Sequence, residues 1–248
     1  MDATNTNQML YKRVLLKLSG EAFQGESHSS IDSQKLEKVS YDIKEVVSSG
    51  VELAIVLGAG NLVRGVDFKS SHLSRVTADQ MGMIATIING LALKDSLNSL
   101  SIPVKLMSAL EVPGVVEKYN SEAAKNNLTS GFVNIFVGGT GNPLVTTDTA
   151  AALRAVEISA DILMKATKVN GVFSEDPIKN PDAKRYETLS YKEAIEKRLG
   201  VMDLSAIIMC QDNNMPLRVF NMSEQNALVS AISNKDIGTL VESGEKNA

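Results

Sequence analysis

"KRVLLKLSGE" occupies residues 12 to 21. Val14, Leu15, Leu16 and Leu18 read as an ordinary buried strand. Lys17 interrupts the apolar run, and Ser19 and Gly20 end it. In open α/β sheets ligands gather just beyond the carboxyl ends of the strands, so a cation, a hydroxyl and a glycine there suggest a binding site. A lysine at a strand edge snorkelling to water satisfies the same three letters.

Working outward, short β-rich runs alternate with helical patterns, the mark of βαβ units feeding a mainly parallel sheet. Strands are predicted at Val14 to Leu18, Val51 to Leu57, Val104 to Met107, Phe132 to Val137, Ile162 to Lys165 and Leu217 to Phe220. The clearest helix has Asp32 as its N-cap, Leu36, Val39, Ile43, Val46 and Val47 at helical spacing, and Gly50 past its end. A second runs from about Ala78 to Asn98, with Met81, Ile84, Ile88 and Leu91 on one face. Further helices are predicted at Asp148 to Ser159, Tyr191 to Lys197, Leu204 to Asp212 and Glu224 to Ile232. No repeat or long Pro/Gly linker divides the chain, which reads as one domain of two lobes over residues 11–242 between short tails, 1–10 and 243–248. The longest loop, Asn170 to Tyr186, is rich in Asp, Pro and Lys, and long loops in compact domains are often functional.

Composition narrows the partners. The 248 residues are 44% hydrophobic with a formal net charge of −4, which gives no general attraction to nucleic acid or an anionic membrane and favours a small-molecule ligand. One cysteine excludes an internal disulfide, and two histidines, His28 and His72, lie far from any zinc-ligand spacing. The opening MDATNTNQM is polar, and no later apolar run approaches the roughly 18 residues of a spanning helix. A cytoplasmic protein is expected.

Three predicted strand ends carry glycine, hydroxyls or both: "KLSGE", "GAGNLVRG" (58 to 65) and "GGTGNPLVTTDTAA" (138 to 151). Exposed backbone N–H groups, close approach at glycine and the positive end of a helix together make anion sites, phosphate above all. Each piece has a plainer reading: Gly58 and Gly60 as a strand-to-helix turn, Arg64 as a surface arginine, Thr147 and Asp148 as a helix N-cap. "GAGNLVRG" fails the dinucleotide fingerprint at Val63, and no G-x-x-x-x-G-K-[ST] occurs. Ser19 lacks a nucleophile elbow, neither histidine has a triad setting, and Cys210 beside Ile207 and Ile208 reads as packed core. What favours a site is the joint occurrence of a lysine, an arginine and three anion-friendly loops at strand ends.

Read together, "LLKLSGEA", "GAGNLVRG", "RVTADQMGMIATIINGLAL", "GTGNPLVTTDTAA", "MKATKVNGVFSEDP" and "VMDLSA" resemble the bacterial UMP kinases of the amino-acid-kinase superfamily over about Tyr11 to Val241. The resemblance implies a three-layer αβα sandwich of carbamate-kinase-like fold, an N-terminal lobe mainly for UMP and a C-terminal lobe mainly for ATP. It implies direct transfer of the ATP γ-phosphoryl group to UMP, with Mg²⁺ carried by the ATP phosphates and no protein-bound metal. By the same resemblance Lys17, Leu18, Ser19 and Gly20 meet the ATP phosphates, and Gly60 and Arg64 hold phosphates near the point of transfer. Lys165, Thr167, Asn170, Phe173 and Asp176 receive the nucleoside end of ATP. Ala59 and Asp79 touch UMP, Asp79 at the ribose. Thr140, Gly141, Asn142, Pro143, Leu144, Val145, Thr146 and Thr147 wrap the uracil and the UMP phosphate. Lys17, Arg64, Asp148 and Asp203 form the catalytic set, the two aspartates orienting Lys17 and its neighbours. The resemblance further implies a homohexamer, UTP as inhibitor and GTP as effector. Lys94 and Lys105 match basic positions some relatives use for GTP, whereas Asn98 and residues 129–132 carry no positive charge. Ala59 stands where many relatives have the middle glycine of G-G-G-N.

General chemistry agrees with this set. Phosphoryl transfer needs positioning and charge stabilisation more than covalent help. A phosphate monoester with a second pKa of about 6 is already largely dianionic at pH 7, so no general base is needed. The competing readings are a family enzyme acting on a carboxylate or carbamate, and a sensor or storage protein that binds nucleotide without turnover.

Overall fold

The computed structural model describes residues 9–25, 30–63, 72–177, 179–224, 226–234 and 236–244. Arg64 and His28 lie outside the described residues, as does most of each predicted tail. The Leu10 N–H donates to Ile232 O at 3.2 Å, so that part of the N-terminal segment is tied to the body.

Nine strands among the described residues form one sheet: β1 (Arg13–Leu18), β2 (Glu52–Leu57), β3 (Val104–Ser108), β4 (Glu117–Lys118), β5 (Val133–Val137), β6 (Ile162–Thr167), β7 (Thr188–Ser190), β8 (Leu217–Asn221) and β9 (Thr239–Glu242). Their order is β4-β3-β5-β2-β1-β6-β8-β9-β7. Every neighbouring pair is parallel except β8 and β9. The helices are α1 (Ser33–Ser48), α2 (Arg75–Ser99), α3 (Ser121–Thr129), α4 (Thr147–Glu157), α5 (Tyr191–Glu196), α6 (Leu204–Asp212) and α7 (Ala227–Ser233). The six predicted strands are all present. Unforeseen are β4, β7, β9 and α3, all short, and α7 starts at Ala227 rather than Glu224.

β1 lies in the middle, paired with β2 and β6, and its period-2 alternation feeds two cores. Val14, Leu16 and Leu18 join Ile43 of α1, Ile87 of α2 and Leu228 of α7 in one layer. Leu15 points the other way, joining Ala151 of α4, Leu128 of α3 and Ile207 of α6. Two helical layers thus cover a central sheet. Ala150, Ala151, Ala152 and Ala155 are buried on α4, and side chains this small let that helix lie close to the sheet.

α2 is apolar all round. Its inward face carries Ala85, Thr86, Ile87, Asn89, Gly90, Leu93 and Leu97, while Ile84, Ile88 and Leu91 are exposed. The face picked out by periodicity is therefore the outer one. Gly90 explains the choice, because a Cβ there would lie 2.6 Å from Val137 Cγ1 and 2.8 Å from Leu106 Cδ1. Only the glycine edge can seat this closely on β3 and β5. By length and composition α2 would also suffice to cross a bilayer; here Thr86 and Asn89 are buried against loops at the sheet's end, and both are hydrogen-bonded there.

Candidate active site

Lys17 and Lys165 are register partners on adjacent strands, and both point to the face occupied by Leu15 and Leu163. α4 covers that face. Thr146 caps the helix by accepting from the Asp148 and Thr149 N–H groups, which puts Asp148 in its first turn. The Asp148 carboxylate lies 3.0 Å from Lys17 Nζ and 2.7 Å from Lys165 Nζ, with side-chain exposures of 14%, 12% and 16% respectively. Lys165 also donates to Val201 O at 2.8 Å.

Burial acts most strongly on the Asp148 carboxyl and pushes its pKa up, but Lys17 and Lys165 together overcome this and hold it below the usual carboxylate range. The positive end of α4 favours the same charge. Lys165 is pulled below the ordinary lysine range, first by burial and also by Lys17, against the opposing pull of Asp148. Two ammonium groups and one carboxylate leave a net positive charge where the first strand ends, suited to holding a polyanion.

Asp203 has a different task from Asp148. It caps α6 by accepting from the Ala206 N–H at 2.9 Å, and both its oxygens lie 3.0 Å from the Thr149 hydroxyl. Thr146 also donates to it. The start of α4 is thereby tied to the start of α6, and Lys165 feels the Asp203 charge at longer range.

A cavity of about 940 Å³ opens beside the lysines, lined by Lys17, Leu18, Ser19, Lys165 and Thr167 of the predicted set. Its other walls are Glu21, Lys35, Lys38, Asp42, Lys168, Met222 and Ser223 among others, none of them foreseen. Glu21 and Lys168 pair across it at 2.8 Å. Lys35, Lys38 and Asp42 sit on α1, where the sequence shows only the polar side of an amphipathic helix. Asn170, Phe173 and Asp176 are elsewhere: Asn170 Oδ1 accepts from Asn221 Nδ2 at 2.7 Å, Phe173 bridges Arg185, and exposed Asp176 faces Lys179 at 3.7 Å.

A second cavity, about 160 Å³, is lined by Ala59, Gly60, Asp79, Val145 and Thr147 of the predicted set, with Val63, Met83, Thr86 and Gly139 beside them. Gly60, assigned by resemblance to ATP, thus borders this cavity. Asp79 accepts from the Leu144 N–H at 2.8 Å and lies 3.7 Å from Arg75. The turn that carries Thr140, Gly141, Asn142, Pro143 and Leu144 is held by the Gly141 N–H to Gly138 O at 3.0 Å and the Asn142 N–H to Thr140 Oγ1 at 3.3 Å. Gly141 at φ 84° and Leu144 at φ 68° take left-handed backbone there. Ala59 has no positive φ, so its methyl is accommodated.

The loops are locked to one another. The Gly58 N–H donates to Leu18 O at 2.8 Å, and a Cβ on Gly20 would meet Asn61 Oδ1 at 2.2 Å and Gly60 N at 2.9 Å. The walls of the two cavities are therefore in direct contact. Sequence reading passed over Asn61, Thr86, Asn89 and Thr149. The available signal was polar Thr86 and Asn89 within an apolar helical run.

The amino acid kinase family model matches residues 12–221. The chain belongs to the amino acid kinase family. The chain is 50% identical to a uridylate kinase of Coxiella burnetii, over 98% of this chain and 100% of that one. It is 52% identical to a uridylate kinase of Alcanivorax borkumensis, over 95% and 93%. The crystal structure of a UMP kinase from Bacillus anthracis superposes with a TM-score of 0.92 at 37% identity, covering 95% of this chain and 97% of that one.

Proposed function

We propose that this protein is a UMP kinase, passing the γ-phosphoryl group of ATP reversibly and directly to UMP to give UDP and ADP. The observation that carries the reading is a pair of cavities bordering loops that touch one another, with the Lys17, Lys165 and Asp148 cluster beside the larger. ATP takes the larger cavity and the C-terminal lobe, UMP the smaller cavity and the N-terminal lobe. Lys17 and the backbone at Ser19 and Gly20 hold the transferring phosphoryl group, Asp148 aims the lysines, and Arg64 adds positive charge. Asp79 accepts from the UMP ribose through the oxygen not held by Leu144, and the Thr140 to Thr147 turn selects uracil.

Mg²⁺ would come with the ATP phosphates and would supply further positive charge for the negative charge that develops during transfer. Both Asp148 oxygens face ammonium groups, so this carboxylate would leave the cation to the phosphates. The exposed Ile84, Ile88 and Leu91 stripe is the surface on which copies of the chain associate toward a hexamer. UTP would inhibit from the acceptor side. Of the two basic positions the resemblance offers to GTP, Lys105 is engaged by Glu117 at 3.4 Å. A cytoplasmic setting follows from substrates made and used there.

The test is ADP release with ATP and Mg²⁺ against UMP, CMP and dUMP. Strong preference for UMP is expected; turnover with CMP equal to that with UMP would overturn the uracil assignment of Thr140 to Thr147, and no turnover with UMP would overturn the reading itself.

A further inference from the structure

α2 presents three polar side chains in a narrow sector of its inner face. Asp79, Thr86 and Asn89 are separated by seven and three positions, which at 100° per residue spreads them over roughly 80°. Asp79 and Thr86 hold the loop after β5, and Asn89 holds the loop after β2. Asp79 accepts from the Leu144 N–H at 2.8 Å, Thr86 Oγ1 accepts from the Gly138 N–H at 2.7 Å, and Asn89 Nδ2 donates to Gly58 O at 2.9 Å. Gly90, next to Asn89, presses this part of the helix onto β3 and β5, so these groups stand on a fixed base.

Asn89 is fully buried and does more than hold one carbonyl. Its amide pairs reciprocally with that of Asn61: Asn89 Nδ2 donates to Asn61 Oδ1 at 2.8 Å, and Asn61 Nδ2 donates to Asn89 Oδ1 at 3.0 Å. The remaining Asn61 hydrogen goes to Ser30 O at 2.5 Å. Every side-chain donor of the pair is used, which fixes the plane of both amides. The Asn61 oxygen so fixed occupies the place a Gly20 side chain would take.

We propose that Asn89 is a positioning residue for phosphoryl transfer: through Asn61 it sets the distance between the Ser19–Gly20 loop and the Gly58–Gly60 loop. That distance fixes how closely the donor and acceptor phosphates meet. The proposal rests on the kinase reading above but is separable from it. Each nucleotide still binds its own cavity when the pair is lost, while their mutual alignment degrades, and a misplacement near 1 Å is enough to slow a reaction about a hundredfold.

The experiment compares parent, Asn89→Ala, Asn61→Asp and the double variant in single-turnover transfer from ATP to UMP, alongside calorimetric binding of each nucleotide. The expected result is a single-turnover rate constant down about tenfold to a hundredfold, UMP stoichiometry near one per chain, and dissociation constants within about threefold of the parent's. The double variant should be no slower than the worse single one, because both break the same pair. If Asn89→Ala does not fold, Asn61→Asp, which keeps the acceptor for Asn89 but loses its donors, tests the same link between the two loops. Single-turnover rate constants equal to the parent's, or a loss confined to binding stoichiometry, would overturn the proposal. A parent that fails to phosphorylate UMP would instead overturn the reading beneath it.

Discussion

Replacing Asp148 by asparagine removes the one carboxylate within salt-bridge reach of Lys17 and Lys165 among the described residues, at 3.0 and 2.7 Å. Removing one partner from a buried ion pair costs about 3–5 kcal/mol, because a desolvated charge is left uncompensated. Here two charges lose their partner, but asparagine keeps one oxygen for one of them and the cluster is not wholly sealed, so a loss of about 2–4 kcal/mol is expected. Urea unfolding without nucleotide measures it. Mg-ATP should return more stability to Asp148→Asn than to the parent, since triphosphate oxygens restore negative charge beside the ammonium groups. The turnover number should fall about tenfold to a hundredfold, short of the ~10²–10³ for deleting an oxyanion donor outright. The pH dependence has a definite sign. A carboxyl held below its unfolded pKa of about 3.9 contributes stability above that value, which is lost as pH falls through the folded pKa, so the parent should lose stability below about pH 4 and the variant should lack this component. An unfolding midpoint and a turnover number both equal to the parent's would refute the view that Asp148 organises the lysines.

Lys17→Ala should abolish transfer yet cost less stability than Asp148→Asn, because Asp148 keeps Lys165; comparable destabilisation on urea unfolding would contradict the pairing. Gly20→Ala drives a Cβ into Asn61 Oδ1 and Gly60 N, and should cost about 1–3 kcal/mol in the same assay. Gly60→Ala, whose new Cβ has its nearest neighbour at 3.9 Å, should fold normally but bind nucleotide more weakly, and unchanged affinity would show that no phosphate approaches there. Tyr191→Phe frees the buried Met215 carbonyl and should lower stability by about 1–3 kcal/mol with turnover intact, read by unfolding and initial rates. Burial pushes the Cys210 thiol up to about 12, so iodoacetamide at pH 8 should label it only after unfolding.

Much of this arrangement is legible in the chain. Apolar runs fix the six long strands, because a strand covered on both faces has no polar alternation to disguise it. Lys17 is conspicuous for the same reason, as a charge within such a run. The short strands β4, β7 and β9 escape, having only two to four residues each. α2 shows the other limit. With apolar residues all round, its periodicity identifies a helix but not its inner side, and Gly90 decides that through a contact with residues from two other strands. The α1 wall of the larger cavity was hidden because Lys35, Lys38 and Asp42 look like any solvated helix face. Asn61 and Asn89 are 28 positions apart, and only the fold brings their amides together.

The in-register lysines of β1 and β6 tie the chemistry to parity. Each strand must deliver its ammonium to the same layer as α4, and a single residue inserted or deleted between Val14 and Lys17 would turn that side chain over into the opposite layer, among Ile43 and Leu228, however well the sheet re-formed. The count from the start of the first strand to its lysine can therefore change in evolution only by even steps.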